Sequence, residues 1–223
     1  MFSFFNRYIK YFFSTKKIIE KKYTPHNYIE VSLYKGHLVL DSQNTNYSYG
    51  NLHKVFQYAF KKIPFDKNIV KEVLILGFGA GSVASILKKE LKCNCNITGV
   101  EIDNEIIKLA KKHFGLDEIK GIKVYNDDAF NYLEKCNKKF DMIVIDIFAD
   151  HKIPSLFNSE VFLNKVYEIL NNKGRVYYNR LCYDFESKRA GREFEIKFTS
   201  VFKNSVIIKR GIFSKNKIYH GTK

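Results

Sequence analysis

From Glu72 onward, short apolar runs of strand length alternate with stretches of helical spacing, and this alternation constrains the fold more than any other feature. Residues 73–76, 97–102, 122–125, 142–145 and 175–181 read as five strands. Between them, residues 82–91, 104–114 and 161–170 carry apolar side chains at helical spacing, the last closed by Asn171, Asn172 and Gly174. Strands separated by helices pair in parallel, with the helices covering both faces of the sheet. The uniformly apolar run 142–145 fits a strand buried on both faces. A helix over 194–202 and an antiparallel closing pair around Val206-Ile207-Ile208 and Ile218-Tyr219 complete the unit.

Upstream the periodicity changes. Residues 28–34 and 37–40 read as a hairpin turned near Lys35-Gly36, a polar loop follows over 41–46, and Leu52, Val55, Phe56, Ala59 and Phe60 mark a helix over 51–62. Pro64 and Asp66 mark a linker. Phe5, Tyr8, Ile9, Phe12 and Phe13 give residues 2–13 an amphipathic helical pattern. The expected division is therefore a basic amphipathic helix within 1–27, a small hairpin and helix region over 28–66, and an α/β cofactor-binding domain over 67–223.

The formal net charge of +15 is uneven. Residues 1–24 hold six Lys/Arg and one acid, residues 188–223 ten and two, so the ends carry +5 and +8 and the other 163 residues only +2. The near-neutral body argues against nucleic acid as the first reading of the basic balance, although the basic ends keep it open. The N-terminal segment is expected to pack on the domain, with weak contact to a membrane surface through 1–24 as the alternative. Polar residues interrupt its apolar stretch and no cleavage site follows, so it does not read as a signal peptide. No apolar run approaches the ~20 residues that span a bilayer. Cys93, Cys95, Cys136 and Cys182 are too few and too irregular for a disulfide scaffold, and the C-x-C pair lacks partners at zinc spacing. A reducing cytoplasm and no metal are the expectations.

The chemistry-bearing residues fall at strand ends. Gly77-Phe78-Gly79-Ala80-Gly81 lies between the first strand and the following helix, where glycines permit a tight turn and close approach of backbone to ligand. Glu101 and Asp103 end the second strand; an acid there can accept both hydroxyls of a ribose. Asp103 before Asn104-Glu105 also suits a helix N-cap, so the ribose is assigned to Glu101. Asp127-Asp128-Ala129 follows the third strand, where an acid can accept from an adenine amino group or cap a helix. Asp146 ends the fourth strand. A glycine loop followed by three acids at successive strand ends points to an S-adenosylmethionine-type site of the class I kind.

On these residues the chain resembles the spermidine synthase-like (polyamine aminopropyltransferase) family of class I S-adenosylmethionine-type transferases. The resemblance is carried by Val73-Leu74-Ile75-Leu76-Gly77-Phe78-Gly79-Ala80-Gly81, Val100-Glu101-Ile102-Asp103, Asp127-Asp128-Ala129, the run from Phe140 to Asp146, the loop from Asp146 to Phe157, and Leu38-Val39-Leu40-Asp41. It covers roughly residues 28–181. It implies a Rossmann-like methyltransferase fold with a mostly parallel seven-stranded sheet and a small N-terminal β region. It also implies S-adenosylmethionine or its decarboxylated form held by Gly77, Gly79, Gly81, Glu101, Asp103, Asp128 and Ala129. Asp146 and Asp150 would be the catalytic acids, Tyr49 and His53 would face a small amine substrate, and a homodimer would be the common assembly. Asp150 also reads as a solvated loop acid, and Tyr49 and His53 as hairpin packing residues.

Three departures concern the substrate end of the site. Ala80 stands where the family's loop has an Asp, Tyr28-Ile29-Glu30 lacks a Gln found there, and Asn46-Tyr47-Ser48 replaces an acidic pair. Aminopropyl transfer to an amine is the leading expectation. Methyl transfer to a small molecule or RNA, and a non-catalytic binding module of the same fold, stay open.

Overall fold

The computed structural model describes residues 16–26, 28–42, 46–148, 152–209, 211 and 215–223. The amphipathic pattern at 2–13 lies outside them. Four strands form a small antiparallel sheet in sequence order: β1 (Lys17–Tyr23), β2 (Tyr28–Tyr34), β3 (His37–Ser42) and β4 (Asn46–Ser48). β1 departs from the expectation, since KIIEKKY is polar on both faces. It falls in a segment read as part of a basic helix, and its pairing with β2 and the ion pair of Glu20 with Lys112 hold it in place. α1 (Gly50–Lys62) then packs Val55, Phe56, Ala59 and Phe60 into the core shared with the larger sheet.

The larger sheet has seven strands: β5 (Glu72–Leu76), β6 (Asn96–Glu101), β7 (Ile122–Asn126), β8 (Phe140–Ile145), β9 (Leu170–Leu181), β10 (Asn204–Lys209) and β11 (Asn216–Thr222). Their order is β10-β11-β9-β8-β5-β6-β7. β5 pairs in parallel with both β6 and β8, and only β11 runs against its neighbours. The helices are α2 (Ser82–Ser85), α3 (Asn104–Phe114), α4 (Ala129–Lys135), α5 (Glu160–Glu168) and α6 (Phe185–Val201). One core lies on each face of the sheet. Val73, Ile75, Met142 and Val144 point to one, and Leu74, Leu76, Ile143 and Ile145 to the other, so these strands had to be apolar throughout.

Besides β1, three elements differ from their expected form. α6 begins at Phe185, nine residues before the expected helix over 194–202, where Asp184 caps it. α2 passes into a π-helical turn over Ile86–Glu90, with the Leu91 N–H donating to the Ile86 carbonyl. β9 begins at Leu170 instead of Arg175, because residues 171–174 form a bulge, with Lys173 at φ 64°, that still pairs at Leu170 with Phe140. The Asn-Asn-Lys-Gly sequence reads as a helix stop and gives no hint of a strand. All four cysteines are free thiols. Among the described residues no helix is long and apolar enough to cross a membrane, and no cluster of three or more His, Cys, Asp or Glu is placed to hold a metal.

Candidate active site

The strand order reverses on either side of β5: the chain goes outward to β6 and β7, then returns to β8 and β9 on the other flank. A crevice opens at the carboxyl ends of strands around such a reversal. The glycine loop sits there. Gly77, Gly79 and Gly81 have φ of 77°, 56° and 87°, all left-handed. A Cβ on Gly77 would run into the backbone carbonyl of Asp146, so the loop and the start of the segment after β8 touch main chain to main chain. The Gly77 and Phe78 N–H groups both donate to the Val100 carbonyl at 3.0 Å, and the Phe78 ring lies over Gly99. The loop is thereby fixed to β5, β6 and β8 together.

Glu101 lies beneath this loop and is 4% exposed. Its Oε2 accepts from the Gly79 N–H at 2.8 Å and its Oε1 from the Asp103 N–H at 3.1 Å. Burial pushes its carboxyl up to about 7 despite these two amide donors. Asp146 follows β8, its N–H donating to the Leu76 carbonyl at 2.8 Å. The residue keeps some accessible surface, but its carboxyl is densely surrounded by protein. Burial raises it to about 7, the Asn179 amide opposes the rise, and the Glu101 charge adds to it. Two mutually repelling acids in one crevice are expensive without a ligand, which marks the crevice as a functional-site candidate.

Sequence reasoning missed Asn179. It is fully buried, its Nδ2 donates to Asp146 Oδ1 at 2.8 Å, and its Oδ1 accepts from Asn216 Nδ2 at 3.0 Å. Because Asn216 supplies the donor, Asn179 must turn its own N–H₂ toward Asp146. The signal was an amide at the end of the otherwise apolar run Val176-Tyr177-Tyr178.

The remaining expected residues divide. Asp103 caps α3, with Oδ1 accepting from the Glu105 N–H at 2.9 Å and Oδ2 accepting from the Thr24 hydroxyl at 2.5 Å, so both its oxygens are engaged. Asp128 caps α4 through Oδ1, which takes the N–H groups of Phe130 and Asn131. Ala129, buried, is the first residue of α4. Asp150 lies outside the described residues. Tyr49 and His53 sit beside the glycine loop's helix instead of at the strand ends. Tyr49 is stacked between His53 and Phe114, and His53 bonds Ser82. Tyr49 has φ 66° and ψ −161°, a backbone region that costs a side-chain-bearing residue about 1–3 kcal/mol.

Comparison with known proteins places this geometry in a family. Residues 57–205, about two thirds of the chain, match the spermine/spermidine synthase domain. The chain belongs to the spermine/spermidine synthase family. It is 40% identical over 106 residues to a probable polyamine aminopropyl transferase of Bifidobacterium longum, covering 48% of this chain and 23% of that protein. It is 31% identical over 127 residues to an eEF1A lysine and N-terminal methyltransferase homolog of Drosophila melanogaster, covering 53% of this chain and 19% of that one. The chain therefore spans about a fifth of the length of these two relatives. Among solved structures, a probable spermidine synthase from Corynebacterium glutamicum aligns over 92% of this chain and 79% of its own at TM-score 0.74 and 19% identity. Human Methyltransferase-like protein 13 in complex with SAH aligns over 78% and 82% at TM-score 0.64 and 23% identity. The fold is thus the methyltransferase-like α/β fold that the resemblance implied, built on the parallel sheet that the strand and helix alternation implied, and the relatives are named as transferases.

Proposed function

We propose that this chain is a transferase that alkylates an amine nitrogen from an S-adenosylmethionine-type donor, with aminopropyl transfer to a polyamine-like acceptor as the leading form. The residues present fit such a donor. The Glu101 carboxylate is held by backbone amides, Gly79 N–H on Oε2 and Asp103 N–H on Oε1, and its remaining lone-pair capacity can accept from a ribose hydroxyl. The three left-handed glycines let a ligand approach the loop backbone, and Asp128 keeps Oδ2 for an adenine amino group. The bound donor supplies a carbon activated by its sulfonium.

The chain's residues then have two tasks: to orient the nucleophile and to take its proton. As the new C–N bond forms and the C–S bond breaks, the nitrogen must lose a proton. The single observation that carries the reading is Asp146, a carboxylate fixed at the crevice by Leu76 and Asn179, with a raised pKa that suits a base near neutral pH. Asn179 occupies Oδ1 with an N–H, so Oδ2 is the oxygen left to accept the proton. Asp150 is proposed to hold the cationic amine from the loop that follows.

Methyl transfer to a lysine or N-terminal amine is the second reading, and Ala80 favours it. The glycine loop offers no acid there to a terminal ammonium of the decarboxylated donor, and the Drosophila melanogaster relative is named for methylation of such amines. Both forms place the same demand on Asp146. The test is release of the thioether product from each donor in the presence of putrescine, other diamines or a lysine-bearing peptide. Turnover with an amine that Asp146→Asn abolishes supports the reading; turnover that Asp146→Asn retains removes Asp146 as the base.

A further inference from the structure

The geometry points to His53 as a positioning residue: through Ser82 and Glu90 it clamps both ends of the helix that opens at the glycine loop, an inference that rests on reading that loop as the donor's cradle. His53 Nδ1 lies 2.8 Å from Ser82 Oγ, and Nε2 lies 2.5 Å from Glu90 Oε1. Gln57, one turn further along α1, donates to Glu90 Oε2 at 2.7 Å. A carboxylate only accepts, so Nε2 carries the proton, and in the neutral ring Nδ1 accepts from the Ser82 hydroxyl. One ring thus joins the residue immediately after Gly81 to the far end of the same helix.

The π-helical turn makes this reach possible. Ser82 and Glu90 are eight residues apart, and in a regular α-helix at 3.6 residues per turn they would point about 80° away from each other. The i→i+5 bonding over Ile86–Glu90 turns the chain through less angle per residue and brings Glu90 back onto the face of Ser82. A π turn is a rare and locally costly geometry, and here it delivers the second grip of the clamp. Tyr49 completes it. Its ring stacks on His53 at 5.5 Å and on Phe114, at the end of α3, at 4.9 Å, and its hydroxyl bonds Ser85. The strained backbone at Tyr49 is held by contacts to both helices that flank the crevice on this side.

The consequence is a division of labour. α1 belongs to the N-terminal part of the chain, yet its polar face is spent on the rigidity of the loop at 77–81. His53 acts on the donor through Ser82 and the loop, without touching it. Loosening the clamp releases the loop amides and weakens donor binding, while the two cores, which His53 does not enter, keep the fold.

The experiment combines calorimetric titration with S-adenosylmethionine and amide hydrogen exchange of the ligand-free protein, for the parent, His53→Ala, His53→Gln and Glu90→Ala. In His53→Ala and Glu90→Ala the dissociation constant should rise roughly tenfold. Amides 79–82 should exchange faster, with strand amides of β5 and β8 unchanged. His53→Gln, whose amide can accept from Ser82 and donate to Glu90, should recover most of both. Unchanged affinity and unchanged loop exchange in a folded His53→Ala overturn the inference. Glu90 is exposed, so if the histidine variant does not fold, the same two readouts in Glu90→Ala decide the matter in its place. A parent that binds no S-adenosylmethionine overturns the cradle reading, and the exchange data then still decide whether the clamp exists.

Discussion

The acids of the N-terminal sheet and the acids at the strand ends of the large sheet live under opposite electrostatics. Glu20 on β1 bonds Lys112 at 2.8 Å and His113 at 2.6 Å, and those partners hold its carboxyl down at about 2. Glu30 on β2 is bonded by Lys16 and Tyr28; although burial pushes its carboxyl up, these partners hold it below its ordinary value. Glu101 and Asp146 are bonded by amides, and burial lifts each to about 7. Partnered acids dock one part of the chain on another. Acids buried without a cation are poised for a ligand that brings positive charge or hydroxyl donors. The docking carboxylates and the candidate site carboxylates thus separate on physical grounds.

The largest effect should come from Asp146→Asn. Removing a positioned base costs about 10²–10⁴-fold in turnover, with donor affinity near the parent's. Rate and binding measured separately would show whether the strand-end acid does chemistry or only binds. Next, Gly77→Ala forces a Cβ into the Asp146 carbonyl from a left-handed backbone. Overpacking of about 1–3 kcal/mol and backbone strain of about 1–2 kcal/mol should lower thermal stability and abolish donor binding. A variant that binds normally would show that the loop tolerates what the geometry forbids.

Glu101→Gln draws the contrast between the two groups of acids most finely. Losing a charged acceptor should weaken donor binding by about 1.5–3 kcal/mol, and the ligand-free variant should no longer lose stability as pH rises through about 7. The sign follows from linkage. Glu101 and Asp146 ionise near 7 in the fold and near 4 in the unfolded chain, so the fold holds more protons between those values. Their contribution to stability is full below about 4 and is lost as pH rises through about 7. Glu20 behaves in reverse: its contribution is present above about 4.5 and is lost as pH falls toward about 2. Glu20→Gln is the smallest change, about 1 kcal/mol or less because Lys112 is largely exposed. It should lower stability near neutral pH and leave donor affinity untouched. Unfolding curves at pH 3, 5 and 8 should show that Glu101→Gln removes a loss of stability toward pH 8 and Glu20→Gln a loss of stability toward pH 3, and a shared direction would erase the distinction.

What the sequence made legible follows the same physics. Strands buried on both faces must be apolar throughout, so 73–76 and 142–145 announced themselves, and the acids that end β6 and β8 stood out against them. β1 was hidden because KIIEKKY faces solvent on much of its surface and owes its place to ion pairs distant in sequence. The π turn was hidden because Ile86–Glu90 has ordinary helical composition, and only the partners on α1 reveal its use. Whether Asp103 and Asp128 cap a helix, meet a ligand or do both was not legible in the sequence, since a cap and a ligand contact ask for the same residue after a strand. Asn179 carried a signal, an amide among buried aromatics, whose meaning depended on Asp146 and Asn216 lying beside neighbouring strands.

If the strand-end acids and the glycine loop hold an S-adenosylmethionine-type donor, calorimetric titration at pH 6, 7 and 8 will show it. Binding of S-adenosylmethionine or its decarboxylated form should be saturable and should tighten as pH rises through about 7, because the cationic donor favours ionised Glu101. Glu101→Gln should weaken the binding and flatten its pH dependence. Absence of binding by either donor at every pH, or binding that neither pH nor Glu101→Gln alters, would contradict this assignment of the site.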